Sequence, residues 1–161
     1  MPSGRTHLKI EAVLLFAWTA LGGILLANGV ASPQALVSFI LAYAFSMLFL
    51  SPDLDLARSR ASKRWGIARV LWMPYALVFR HRGRSHHPVF GALTRILYLL
   101  LLVVVVVVTI VALSGTRISI HLPPGDVMIA VVAGLYVPNL THIVADRLVS
   151  DWKAKQARRR L

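Results

Sequence analysis

Residues 96–113 read ILYLLLLVVVVVVTIVAL, a run without a single charge. Nothing else restricts the fold of this chain as strongly. Six consecutive valines favour a strand in water, but a lone strand in lipid leaves its backbone groups unpaired, and no barrel-like alternation accompanies the run. A membrane-crossing helix is therefore expected, since about 20 apolar residues cover a hydrocarbon core about 30 Å thick. Three further runs follow the same logic. Residues 12–30 are uncharged. Residues 34–50 are opened by Ser32 as helix cap with Pro33 at the first helical position, and closed by Ser51-Pro52. Residues 127–144 contain Pro138, which predicts a kink. The expected fold class is an all-α integral membrane protein. It has four transmembrane helices plus a short interfacial or re-entrant segment, in one membrane domain over 1–161.

Composition points the same way, with 57% hydrophobic residues and a mean hydropathy of +0.69, above a soluble balance. Lys and Arg outnumber Asp and Glu eighteen to six. Such a charge suits nucleic acid, but in a membrane chain basic cytoplasmic loops are its commoner origin, so no nucleic-acid partner is expected. The absence of cysteine excludes disulfides, thiolate metal sites and a cysteine nucleophile. The first run has no small-residue cleavage pattern after it and reads as a retained helix.

Between the second and third runs lies IARVLWMPYALVF, residues 67–79, interrupted by Pro74. As a helix it would reach roughly 20 Å, too short to cross. Arg58, Arg60, Lys63 and Arg64 precede it and Arg80, Arg82 and Arg84 follow it. Both clusters belong on one side by the positive-inside tendency, so the segment lies in the interface, within a cytoplasmic loop over 51–95. Arg5 and Lys9 near the start, and the basic tail 151–161, join that side, whereas the loops on the other side carry Arg117 alone. The expected location is the plasma or inner membrane, multi-pass, with both termini cytoplasmic. Membrane lipids are the expected surroundings. Gly22-Gly23 and Gly134 offer small surfaces for a homo-oligomer.

On this topology the polar residues gather at the cytoplasmic helix ends. SPDLDL places Asp53 and Asp55 just past a helix, where alternate residues of an extended turn point the same way. HRGRSHHP supplies His81, His86 and His87 around a glycine. THIVAD puts His142 and Asp146 at i and i+4, on one helix face. His7 sits alone near the start. Each piece has an ordinary explanation in turn chemistry, capping or solvation. Four separate segments delivering imidazole and carboxylate to one layer suggest a shared purpose, because ionisable groups near a membrane interior usually have partners or a function. A divalent metal gives them one.

SGRTH near the start, SPDLDL, RWG with LWMPY, HRGRSHHP and the late helix bearing THIVAD resemble a family of uncharacterised metal-binding membrane proteins. That family is similar to the predicted membrane-bound metal-dependent hydrolases (the YdjM-like family), and more distantly to the zinc-dependent phospholipase C and P1 nuclease group. The resemblance covers residues 4 to 150. It implies metal-ligand roles for His7, Asp53, Asp55, His81, His86, His142 and Asp146, and leaves His87 outside the coordination sphere. The family often has an acidic residue directly after the N-terminal histidine. Leu8 stands there instead, which removes the expected carboxylate at that end.

The implied cofactor is zinc, with manganese or iron as alternatives, as one or two ions. Three functions are then open. The first is a hydrolase of an amphiphilic phosphoester, with Asp55 holding metal and Arg82 or Arg84 neutralising phosphoryl charge. The second is a scaffold or assembly protein whose metal only fixes helix ends. The third, a metal transporter, fits less well, because its ligands would belong near the midplane.

Overall fold

Each long apolar run becomes one helix whose ends are set by local chemistry. The computed structural model describes residues 4–56, 59–79, 87–117, 119 and 121–159. Helix α1 runs Gly4–Ala27, α2 Pro33–Phe49, α3 Arg60–Arg64, α4 Met73–Val78, α5 Phe90–Ser114 and α6 Gly125–Arg158. No strand occurs among the described residues. Ser32 caps α2, its hydroxyl accepting from the Ala35 N–H at 3.1 Å with Pro33 in the first turn. Gly115 ends α5 in the left-handed region, with φ of 63°, which costs a glycine little. Pro138 lies inside α6.

Among the described residues, three helices are long and apolar enough to cross a membrane: Arg5–Ala27, Phe90–Ser114 and Gly125–Arg158. The 17 residues of α2 reach about 25 Å at about 1.5 Å per residue, short of a core of about 30 Å. One face of this helix is packed, while Val37 and Leu41 on it stay exposed. Ala42, Tyr43 and Ser46 are buried, and α6 lies so close that a side-chain carbon on Gly134 would sit 2.7 Å from the Phe39 carbonyl oxygen. Ser32 bonds Asp126 at the start of both helices, and Ser46 donates to the Leu135 carbonyl farther along, so α2 and α6 run parallel. α1 runs antiparallel to them, with Glu11 beside Tyr43 and Gly22 against Leu36. Gly22 and Gly134 therefore serve close contacts within the chain. The valines of α5, by contrast, are exposed.

Pro52–Asp55 forms one 3-10 turn after α2, not the extended turn expected for SPDLDL, because Pro52 fixes φ and the Ser51 hydroxyl caps the Asp53 N–H. The segment 67–79 becomes a 3-10 stretch, Gly66–Trp72, followed by α4. Pro74 falls in the first turn of α4, where a missing N–H leaves no bond unmade. Buried Trp72 and Tyr75 join Leu50, Leu54 and Ala61 in the principal cluster, with Trp65 and Tyr98 packed around it. Trp65 Nε1 and Arg64 Nη1 donate to the Phe49 and Leu48 carbonyls, both at 2.9 Å. The carbonyls left over at the end of α2 are thereby used to seat the loop beneath it.

Candidate metal centre

His7 and Glu11 are four apart on α1, as His142 and Asp146 are on α6, so each helix presents one imidazole and one carboxylate on one face. Where the two faces meet, the pairs cross. His7 Nε2 lies 3.1 Å from Asp146 Oδ1, and His142 Nδ1 lies 3.3 Å from Glu11 Oε1. The imidazoles stack, with centroids 3.7 Å apart and an interplanar angle of 13°. Asp53 reaches in from the 3-10 turn, its Oδ2 standing 3.7 Å from His142 Nε2. All of these groups except Asp53 are buried.

The packing around them explains the placement. Asn139 is one turn before His142. It accepts from Arg95 Nη2 at 2.9 Å and donates to Ser46 Oγ at 3.0 Å. This fully buried chain ties α5 and α2 to α6 and sets which face α6 turns inward. From the other side the Tyr43 hydroxyl donates to the Glu11 carbonyl at 3.1 Å, holding α1 in register.

Among the described residues the buried nitrogens His7 Nδ1 and His142 Nε2, like Trp72 Nε1, have no hydrogen-bond partner. Leaving such atoms unmatched is costly, and native interiors rarely do so. A divalent ion would satisfy the two histidine nitrogens. Donor atoms of His7, Glu11 and His142 all lie within 4.8 Å of one another, whereas ligands about 2.0–2.2 Å from one zinc stand at most about 4.4 Å apart, so a small inward shift would let the three share an ion. The opposite nitrogen of His7 faces Asp146, which is how metal-binding histidines are usually oriented, whereas that of His142 faces Glu11, itself one of the three donors. The donor set fits a metal.

A cavity of about 540 Å³ adjoins this group. His7, Glu11, Asp53 and His142 form one part of its wall, and Ser51, Arg60 and Arg64 form another. The structure thus brings together His7, Asp53, His142 and Asp146 of the residues expected from the sequence. Asp55 falls in the 3-10 turn, but its side chain lies outside the described set, as do His81, Arg82, Arg84 and His86. His87 is engaged elsewhere, its Nδ1 accepting from the Val89 and Phe90 N–H groups at 3.3 and 3.2 Å ahead of α5.

Glu11 is the donor that the sequence reading missed. The carboxylate judged absent after His7 is present one helical turn later rather than one residue later. HLKIE carries the same i, i+4 signature as HIVAD, and continuing α1 back through the charged residues would have exposed it.

No solved structure matches the chain. A protein from Aquifex aeolicus (strain VF5), named only as uncharacterized, is 43% identical over 63 residues, or 39% of this chain. The chain spans 45% of that relative's length, under half. A family model described as "Uncharacterized metal-binding protein (DUF2227)" matches residues 2–156, essentially the whole of what is described above, and the chain belongs to that family.

Proposed function

We propose that the protein is a metal-dependent hydrolase embedded in the plasma or inner membrane, cleaving a phosphoester, lipids among them, at the cytoplasmic face. One observation carries the reading. The unpartnered nitrogens of His7 and His142 belong to residues that wall an open cavity rather than a sealed interior. A closed structural zinc takes four protein ligands, whereas catalytic sites use three and keep a position open. His7, Glu11 and His142 make three. A divalent ion bound there supplies Lewis acidity toward a water and a phosphoryl oxygen.

The residues of the chain do the rest. His7, Glu11 and His142 hold the ion, which is zinc in this reading, with manganese or iron as alternatives. Asp146 orients His7, and Asp53 stands ready to accept a proton or to share a second ion. The roles that the resemblance gives Asp55, His81, Arg82, Arg84 and His86 belong to the proposal, as does its kinship with the YdjM-like hydrolases. So does the placement of both termini in the cytoplasm, with α2 as a fourth span. The basic loops support that orientation.

The test is hydrolysis by the detergent-purified protein, metal-loaded, against phosphomonoesters, phosphodiesters and phospholipids. Turnover that disappears on chelation and in Glu11→Gln is expected. A fully loaded protein inert toward the whole panel overturns the hydrolase.

A second reading rests on burial. His7, Glu11, His142 and Asp146 are buried, and an ion among them would fasten α1 to α6 whether or not a substrate ever entered. In that scaffold reading chelation loosens the helix packing and no turnover is found.

A further inference from the structure

Arg60 and Arg64 are four residues apart on α3, so both side chains leave one face of that short helix. Both line the cavity that also contains His7, Glu11 and His142. Among the described residues neither guanidinium is ion-paired. One edge of the Arg64 fork is fixed, because Nη1 donates to the Leu48 carbonyl at 2.9 Å. That bond leaves its other N–H groups for something else. Among the described residues the Arg60 side chain has no hydrogen bond. Two cations lining a cavity together with a set of metal donors describe a site for an anion.

The charges narrow the anion. Without an ion, Glu11 and Asp53 offset Arg60 and Arg64, and the cavity has no net attraction for a dianion. A divalent ion held by His7, Glu11 and His142 tips the balance to positive. The cavity then contains three separate electropositive centres, namely the ion and two guanidinium forks. A carboxylate or a phosphodiester offers two free oxygens, whereas a terminal phosphate monoester offers three. Leu8, Met47 and Leu56 complete the wall with apolar surface, which suits an apolar group attached to that phosphate.

We propose that Arg60 and Arg64 form the phosphate-holding wall of this cavity, and that the ligand it takes is a terminal phosphate monoester, bound only when the metal is present. The proposal rests on the hydrolase reading for its metal donors and narrows the substrate from phosphoesters at large to monoesters. The fork geometry of arginine suits it to this task, and lysine at the same position supplies a point charge instead.

The experiment is calorimetric titration of the full-length, zinc-loaded protein in detergent with inorganic phosphate, methyl phosphate and dimethyl phosphate. Methyl phosphate should bind, dimethyl phosphate about tenfold or more weakly, and the metal-free protein neither. Arg60→Ala and Arg64→Lys should each weaken methyl phosphate about tenfold while metal content is unchanged. Arg60 is exposed and makes no side-chain hydrogen bond or ion pair among the described residues, so Arg60→Ala stays informative if Arg64 variants fail to fold. Phosphatidic acid in mixed micelles, competed against methyl phosphate, separates a lipid headgroup from a soluble monoester. Tighter binding in the micelle assigns the apolar wall to an acyl chain, and equal binding assigns the site to the phosphate alone.

Equal binding of monoester and diester, or monoester binding indifferent to both arginine variants, overturns the proposal, as does zinc-loaded protein that binds no phosphate. Arginine-dependent monoester binding without any hydrolysis keeps this site and sinks the hydrolase. Hydrolysis with arginine-independent binding does the reverse.

Discussion

His7 and His142, one on α1 and one on α6, stack their imidazoles at a centroid separation of 3.7 Å. Among the described residues each ring leaves one buried nitrogen without a partner and turns the other toward a carboxylate of the opposite helix. Two rings arranged in this way belong to one site, so removing either should release the metal. His142→Ala is expected to abolish stoichiometric metal in the purified protein, and Glu11→Gln to lower affinity by well over tenfold, measured by competition with a chromophoric chelator. Full zinc retention in His142→Ala would remove this site from consideration.

Asp146 contacts the ring of His7 and lies outside the group of three donors that come within 4.8 Å of one another. Asp146→Asn keeps shape and a hydrogen-bonding oxygen but loses the charge. It should weaken metal binding by about 10- to 100-fold, the range seen for groups that orient a ligand. Its helical circular dichroism should match that of the parent. A loss as complete as that of His142→Ala would instead make Asp146 a ligand, as the resemblance implied.

Gly134 marks the closest approach of α6 to α2, and any side chain there meets Phe39, Ala42 and Tyr43 at 2.7 to 3.0 Å. Backbone is among those atoms and cannot swing away. Gly134→Ala should destabilise the protein by about 1–3 kcal/mol through overpacking. Gly23→Ala, with nothing within 4 Å, should be neutral. Detergent-based unfolding of the two variants side by side provides the comparison.

Much of the fold was legible because an uncharged apolar run in lipid has few alternatives to a helix. The shortness and packing of α2 were not. Its sequence is apolar all round, and only the small residues Ala42 and Ser46, opposite Gly134, hint that another helix lies against it. Asp53, His142 and Asp146 were legible as candidates because acidic residues are scarce here and stand out. Glu11 was hidden by its neighbours. Between Lys9 and the first apolar run it passes for part of a topology anchor, and only the backward extension of α1 to Gly4 turns it toward His7. The 3-10 turn at Pro52 was unreadable for a different reason, since a Ser-Pro-Asp sequence suits several turns and packing beneath α2 selects one.

Asn139 lies at the centre of the buried chain from Arg95 to Ser46. Asn139→Leu removes the acceptor that Arg95 Nη2 uses at a fully buried position. A loss of about 1–3 kcal/mol is expected, with lowered metal content as a secondary effect because His142 loses its rotational reference one turn away. An unchanged unfolding midpoint would show that this network is incidental to the packing.

Side assignment is open to a direct experiment, since the chain has no native cysteine. Thr116→Cys and Lys63→Cys place single thiols at exposed positions, one after α5 and one on α3. An impermeant maleimide should label them from opposite faces in oriented vesicles. Labelling of both from the same face would contradict the proposed topology.

The crossing of α1 and α6 through their histidines also has a consequence for biosynthesis. The two halves of the donor set leave the ribosome far apart in time, with α2 and α5 synthesised between them. His7 and Glu11 precede His142 in the chain, so an ion held by all three would be captured only after α6 has joined α1. Full coordination would then report completed helix assembly. A misassembled bundle would fail to close the pocket, stay empty, and be distinguishable from the finished protein by that alone.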